Sequence, residues 1–418
     1  MTWTGPHTAL ERFLRYVQID TESDPQGTTT PTTEKQFDLA RLLADELRAM
    51  GADDVDLDEH CYVYATLPST VDHDVPTVCL CSHIDTTPDV TGAGVRPRVH
   101  ENYRGGPIVI DEATGLNINE TDQPYLAEMH GHTVVTASGD TLLGADDKAG
   151  VAAIMDAAQY LLAHPEIPRG RMRVLFTPDE EVGAGVDKLD LAKLDADVGY
   201  TLDGAEAGTY EGETFSADGG TITITGVPAH PGYAKGKMVN ALRAAGYLLM
   251  ALPQEASRPE VTEGREGFAH VYLAEGSADE VQLTYIIRDF APEGLETQFA
   301  VIEEACAKTR DAFPRARIDV ERREQYRNLG YKLTDRPEIL ANAREAIERV
   351  GLEPREGSIR GGTDGSRLSY MGLPCPNLFT GMQMIHSRRE WVSERDLNLS
   401  AAMLVELAQV WAERSRPA

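Results

Sequence analysis

The chain has 418 residues, of which 41% are hydrophobic and 26% charged, with a net charge of −29 from 39 Lys and Arg against 68 Asp and Glu. That length exceeds one compact core and predicts two domains or so, while the acidity argues against nucleic acid and anionic membranes, which need a basic footprint. No stretch approaches the ~18 uninterrupted apolar residues of a membrane span, and the N-terminal residues lack the basic start and apolar run of a secretory leader.

The cysteines are Cys61, Cys79, Cys81, Cys306 and Cys375, with no CxxC pair among them. A thiolate zinc site is therefore not expected. Buried free thiols in a reducing, cytoplasmic compartment are. Only 8 of the 39 basic residues are Lys, a bias that salt adaptation and a GC-rich genome would both produce.

Near the N-terminus Leu10, Phe13, Leu14 and Val17 fall on one face of an amphipathic helix. Residues 21–33 are rich in Ser, Thr, Pro and Gly and read as a loop, and residues 34–50 form a second amphipathic helix closed by Gly51. The runs CYVYATL at 61–67 and TVCLC at 77–81 are β-rich, and the second ends in Ser82-His83-Ile84-Asp85-Thr86. A metal-binding His commonly passes its other ring proton to a carboxylate, so His83-x-Asp85 is the first chemical signal. Residues 89–139 are a Gly- and Pro-rich excursion expected to end in a hairpin around Ser138-Gly139-Asp140.

The stretch TLLGADDKAG at 141–150 then leads into a helical pattern of Val151, Ile154, Met155, Ala158, Leu161 and Leu162. Taken alone, Asp146 and Asp147 would be a helix cap, because Asp suits that position and that end of the dipole. The rest of the chain changes the reading. A strand at 171–177 ends in Asp179-Glu180-Glu181, and a strand at 198–202 ends in Asp203. Acids after a β run are costly if buried unpaired. Polar residues gathering at strand ends, with helices between, predict an α/β fold whose site lies at the carboxyl edge of a largely parallel sheet.

From about residue 215 the order is β-α-β-β-α-β, including the alternating GTITITG at 220–226, a helix at 238–252 that contains Asn240, and the strand EVQLTYIIRD at 280–289. That order predicts a ferredoxin-like α+β layer inserted at 215–327, with residues 1–214 and 328–418 forming one discontinuous catalytic domain. The last part carries a helix at 336–350, a glycine-rich turn at 359–365, a strand-like run at 373–379, His386 and a closing helix at 393–415.

Two His and at least four carboxylates at loop edges suit Zn²⁺, with Mn²⁺ or Co²⁺ acceptable substitutes. Two ions would need a shared carboxylate, and a further carboxylate off the metals would serve as base. Glu180 and Glu181 could divide those roles in either order.

At this point the chain resembles the peptidase T family of the di-zinc metallopeptidase clan. SHIDT, ENYRGG, TLLGADDKAG, TPDEEVG, YTLDG, HPGYAKGKMVNA, YIIRDF, IRGGTDGSRLS and MGLPCPNLFTG, followed by a single His, occur in family order from about residue 10 to 400. The resemblance implies a zinc-exopeptidase-like mixed sheet with an inserted lid and dimerisation domain. It implies a tripeptide aminopeptidase that holds two Zn²⁺ per subunit and attacks through a water between them. It assigns one zinc to His83, Asp146 and Asp203 and the other to Asp146, Glu181 and His386, with Asp146 bridging and followed by a cis peptide. Asp85 would orient His83, and Glu180 would be the general base. His230 would polarise the scissile carbonyl. Arg288 and Arg360 would grip a peptide carboxylate, and Asn240 is a further substrate-binding candidate. Partners implied are small peptides and a second copy of the chain, met through the inserted domain. A related dipeptidase, carboxypeptidase or N-acyl-amino-acid amidohydrolase remains the alternative, because these share the metal site and differ in the pocket.

Overall fold

The computed structural model describes residue 3 and residues 6–416. Packing divides it into two units, the first made of Met1–Gly212, Leu329–Gly357 and Thr363–Ala418, the second of Glu213–Asn328 and Ser358–Gly362.

The first unit is built on an eight-stranded sheet in the order Asp53–Leu57, Val63–Leu67, Met172–Thr177, Val78–His83, Val198–Gly204, Asn377–Phe379, Thr209–Thr214 and Arg355–Ile359, the last two strands ending in residues assigned to the second unit. The four strands from Met172–Thr177 to Asn377–Phe379 run parallel. Antiparallel neighbours extend the sheet on both sides. Strand Val78–His83 shows why the centre is parallel: every residue is buried, so both faces must be covered. Val78 and Leu80 face the main core, while Cys79 and Cys81 face a second cluster with Tyr62, Leu175 and Cys375.

Helix Ala145–Ala163 is the central covering element. It packs on strands Val78–His83 and Val198–Gly204 and is itself covered by helices Ala9–Tyr16, Gln36–Met50 and Glu394–Arg414. Being buried nearly all round, it is apolar nearly all round. A side chain at Gly150 would put its Cβ 2.0 Å from the Leu202 carbonyl oxygen, so glycine is what lets this helix sit so close to the strand.

In the second unit, Ser216–Thr225, helix Ala241–Ala251, Phe268–Gly276, Glu280–Asp289, helix Pro292–Ala312 and Arg317–Tyr326 follow one another. Their sheet order is Phe268–Gly276, Glu280–Asp289, Ser216–Thr225, Arg317–Tyr326, antiparallel throughout. This is the ferredoxin-like arrangement. Ile222, Ile224, Leu248, Leu283, Tyr285 and Ile302 form its core under the two helices. Ser358–Gly362 belongs here because the Phe215 amide donates to the Ile359 carbonyl at 3.0 Å and the Arg360 guanidinium lies over the Phe215 ring.

Three local expectations are corrected. No hairpin forms at Ser138-Gly139-Asp140. Strand Val134–Thr136 pairs instead with the distant Arg98–His100 and Trp391–Ser393, and the amides of Leu143 and Gly144 go to the Glu390 carboxylate rather than to a ladder. Asn240 is not inside a helix: Val239 still pairs with Val227 in extended conformation, and Asn240 caps helix Ala241–Ala251 by accepting from the Arg243 amide at 3.3 Å. The glycine-rich turn gives way at Asp364 to helix Asp364–Met371, capped by Thr363, whose hydroxyl accepts from the Gly365 amide.

Candidate metal centre

Three parallel strands deliver polar residues to the same edge of the sheet. Val78–His83 ends on His83, Met172–Thr177 runs into Asp179-Glu180-Glu181, and Val198–Gly204 carries Asp203. Asp146 comes from the start of helix Ala145–Ala163, where the Asp146–Asp147 peptide is cis. His386 sits in the loop after Asn377–Phe379, with positive φ.

Asp146 lies between the two imidazoles. Its Oδ1 is 3.0 Å from His83 Nε2, and its Oδ2 is 3.3 Å from His386 Nε2. Asp203 Oδ1 is 3.8 Å from His83 Nε2, and Glu181 Oε2 is 2.9 Å from His386 Nε2. Two potential ligand groups result, His83 with Asp146 and Asp203, and Asp146 with Glu181 and His386, the ligand atoms of each lying within 4.8 Å of one another.

Asp85 is fully buried and organises both sides of the site. It faces His83 Nδ1 at 3.3 Å, and its two oxygens accept the amides of Glu180 and Glu181 at 3.0 and 3.2 Å. One carboxylate thus fixes the ring and the acidic turn together. Asp147 accepts from the Ser82 hydroxyl and from the Gly150 amide, so it holds the helix start. Asp179 accepts from the Thr32 amide and Gln36 Nε2, anchoring the turn from behind. Glu180 is part of neither ligand group. It lines a narrow polar pocket with His83, Asp147, Thr201, Asp203 and Asp364.

The electrostatics follow from burying this many acids together. Burial first, then the Asp146 charge, pushes Glu181 up to about 8 and Asp203 up to about 7. Burial also holds Glu180 well above the usual carboxylate range. For His386, burial works downward, but hydrogen bonds to Asp146 and Glu181 outweigh it and lift the imidazole to about 11. Protonated imidazoles here carry the positive charge that the carboxylates demand. A divalent cation meets the same demand, and mixed O and N donors are the set that zinc takes. Glu181 Oε1 is buried with no hydrogen-bond partner among the described residues, which leaves it free as a ligand atom.

The remaining candidates lie in the second unit. His230 is exposed and accepts from the Gly232 amide at 3.2 Å. Arg288 Nη1 donates to the Asp218 and Ile287 carbonyls and to Gln325 Oε1. Arg360 donates to the carbonyls of Thr262, Gly264 and Glu266. Both guanidinium groups are therefore engaged with carbonyl oxygens within their own unit.

Three residues escaped the sequence reading. Asp89 Oδ2 lies 3.3 Å from His386 Nδ1, the counterpart of Asp85 at His83. Asp364 is a buried carboxyl in the Glu180 pocket, raised to about 6 by burial. Glu390 is buried beneath the Asp146 turn. A separate cleft of about 600 Å³, lined by Arg12, Arg15, Glu46 and Gln159, contains none of the ligand candidates, and its Arg12 is paired with Glu46.

Residues 139–410 match the family model described as Peptidase family M20/M25/M40. Peptidase T of Geobacillus kaustophilus (strain HTA426) is 45% identical over 406 residues, covering 97% of this chain and 98% of that one. Among solved structures, a tripeptidase from Staphylococcus aureus is similar with a TM-score of 0.75 and 27% identity, covering 97% of this chain and 98% of its own. The aminopeptidase PepT from Bacillus cereus ATCC 10987 is similar with a TM-score of 0.74 and 25% identity over the same shares.

Proposed function

The chain belongs to peptidase family M20/M25/M40, in its peptidase T branch, and is a metal-dependent tripeptide aminopeptidase; we propose that it works with two zinc ions bridged by Asp146. The observation that carries this reading is that Asp146 offers one oxygen toward His83 and the other toward His386. His83 and Asp203 complete one ligand set, and Glu181 and His386 the other.

Bound there, two divalent ions would acidify a water and polarise the scissile carbonyl. The chain's own residues supply the rest. Glu180 takes the proton of the attacking water and returns it to the leaving amine. Its neighbour Glu181 is spent as a ligand, so the two acids divide the work by position on one short turn. Asp85 keeps His83 in the tautomer that presents Nε2, and Asp89 does the same for His386.

His230, Arg288, Arg360 and Asn240 are proposed to bind substrate, the arginines by exchanging carbonyl partners for the peptide carboxylate. The compartment proposed is the cytoplasm, which suits the free, buried thiols. None of the described helices is long and apolar enough to cross a membrane. The partner proposed for the inserted unit is a second copy of the chain, supported by exposed Leu242, Tyr247, Met250, Tyr272 and Leu273.

A peptide-length panel tests the specificity. Free tripeptides should turn over faster than dipeptides, tetrapeptides and N-acetylated tripeptides, as measured by release of the first amino acid. Faster turnover of the N-acetylated series would contradict an aminopeptidase and favour the amidohydrolase alternative.

A further inference from the structure

Glu390 is 1% exposed, and its carboxylate sits directly beneath the turn that presents Asp146. Its Oε2 accepts the amides of Leu143 and Gly144 at 2.7 and 2.8 Å, and its Oε1 accepts the amide of Asp146 itself at 3.0 Å. These amides precede or open helix Ala145–Ala163, where N–H groups have no acceptor within the helix and the dipole favours negative charge. Gly144 has φ 82, so the turn is not held by a regular ladder.

Glu390 also lies four residues beyond His386 on the same loop. That loop is tied down on its far side, where Trp391–Ser393 pairs with Val134–Thr136. It is tied down in the middle as well, where Arg389 Nε donates to the Asn117 carbonyl at 2.9 Å. The carboxylate therefore joins the backbone carrying Asp146 to the backbone carrying His386. Asp146 and His386 belong to the same ligand group.

Resting on the two-metal reading above, we infer that Glu390 is a positioning residue that sets the spacing between Asp146 and His386, and so the affinity of the Asp146–Glu181–His386 group for its metal. The carboxylate is needed for its chemistry and not only for its size. Ionised, it is acceptor only, and both oxygens face N–H donors. Glutamine has the same volume but would turn an NH₂ group against at least one of those donors. The Asp146 turn and the His386 loop would then lose their common tie, so the Asp146–Glu181–His386 group, which draws two ligands from these segments, is disturbed more than the group of His83 and Asp203, which draws only Asp146 from them.

Glu390→Gln tests this by titrating zinc alone into the metal-free protein. Wild type should take up about two equivalents tightly. E390Q should keep the first and bind the second at least tenfold more weakly, within the range seen when residues behind metal ligands are changed. Its kcat should fall at limiting zinc and recover at excess zinc, with KM within about twofold of wild type. If E390Q binds both equivalents as wild type does, the inference is overturned, even if the variant melts earlier. Glu390→Asp keeps both acceptors at shorter reach and carries the same titration should the amide variant not fold. A wild-type protein that binds no zinc would instead overturn the two-metal reading.

Discussion

Asp146→Asn is expected to leave a folded chain whose turnover of a tripeptide is lower by at least about a thousandfold. The argument is geometric. Each Asp146 oxygen faces a different histidine, at 3.0 and 3.3 Å. An amide keeps one oxygen and replaces the other by a donor, so one of the two ligand groups loses its shared member and the other keeps a neutral one. Charge compounds the loss, since Asp146 is held ionised: burial works against that, but hydrogen bonds to His386 and His83 keep its carboxyl well below the usual range. Metal content per chain, measured on dialysed protein, should fall together with activity. An Asp146→Asn enzyme that retains full metal and wild-type kcat would remove the bridging role.

Glu180→Gln should produce the opposite pairing, with full metal content and a kcat reduced by about 10²–10⁴, the range for losing a general base. Glu180 belongs to neither ligand group, and its backbone amide is already held by Asp85 at 3.0 Å. The isosteric change should therefore leave the fold and the ligand positions alone. KM should change little, because the loss falls on the proton transfer and not on substrate contact. A variant that instead sheds metal would mean that Glu180 and Glu181 have been assigned in the wrong order.

The parts of this site legible in the sequence share one physical property. His83, Glu180, Glu181 and Asp203 follow apolar strand runs, and parallel strands must end at the same edge, so their meeting follows from the α/β pattern. Asp146 was legible for a related reason, since an acid pair before an apolar helix is either a cap or a site. Asp147 does hold the helix start, through the Gly150 amide at 3.3 Å. Glu390 had no comparable local signal. Its partner amide lies 244 residues earlier in the chain, and an acid between Arg389 and Trp391 looks like any surface loop. Asp89 lies in a proline-containing turn, and only the fold brings it to His386.

Two of the strands missed are of one kind. Asp53–Leu57 and Arg355–Ile359 are charged and half exposed, with burial alternating weakly along them. They form the two ends of the large sheet. Edge strands need few apolar residues, so composition hides them. The arginines illustrate a different limit. Sequence supplies a guanidinium near glycines, but only packing reveals that Arg360 already donates to three backbone carbonyls.

The most direct test of the central claim is an anomalous difference map from a crystal of the zinc-loaded protein. The account predicts two peaks per chain, one flanked by His83 and Asp203, the other by Glu181 and His386, with the Asp146 carboxylate contacting both. A single peak, or two peaks of which only one touches Asp146, would contradict it.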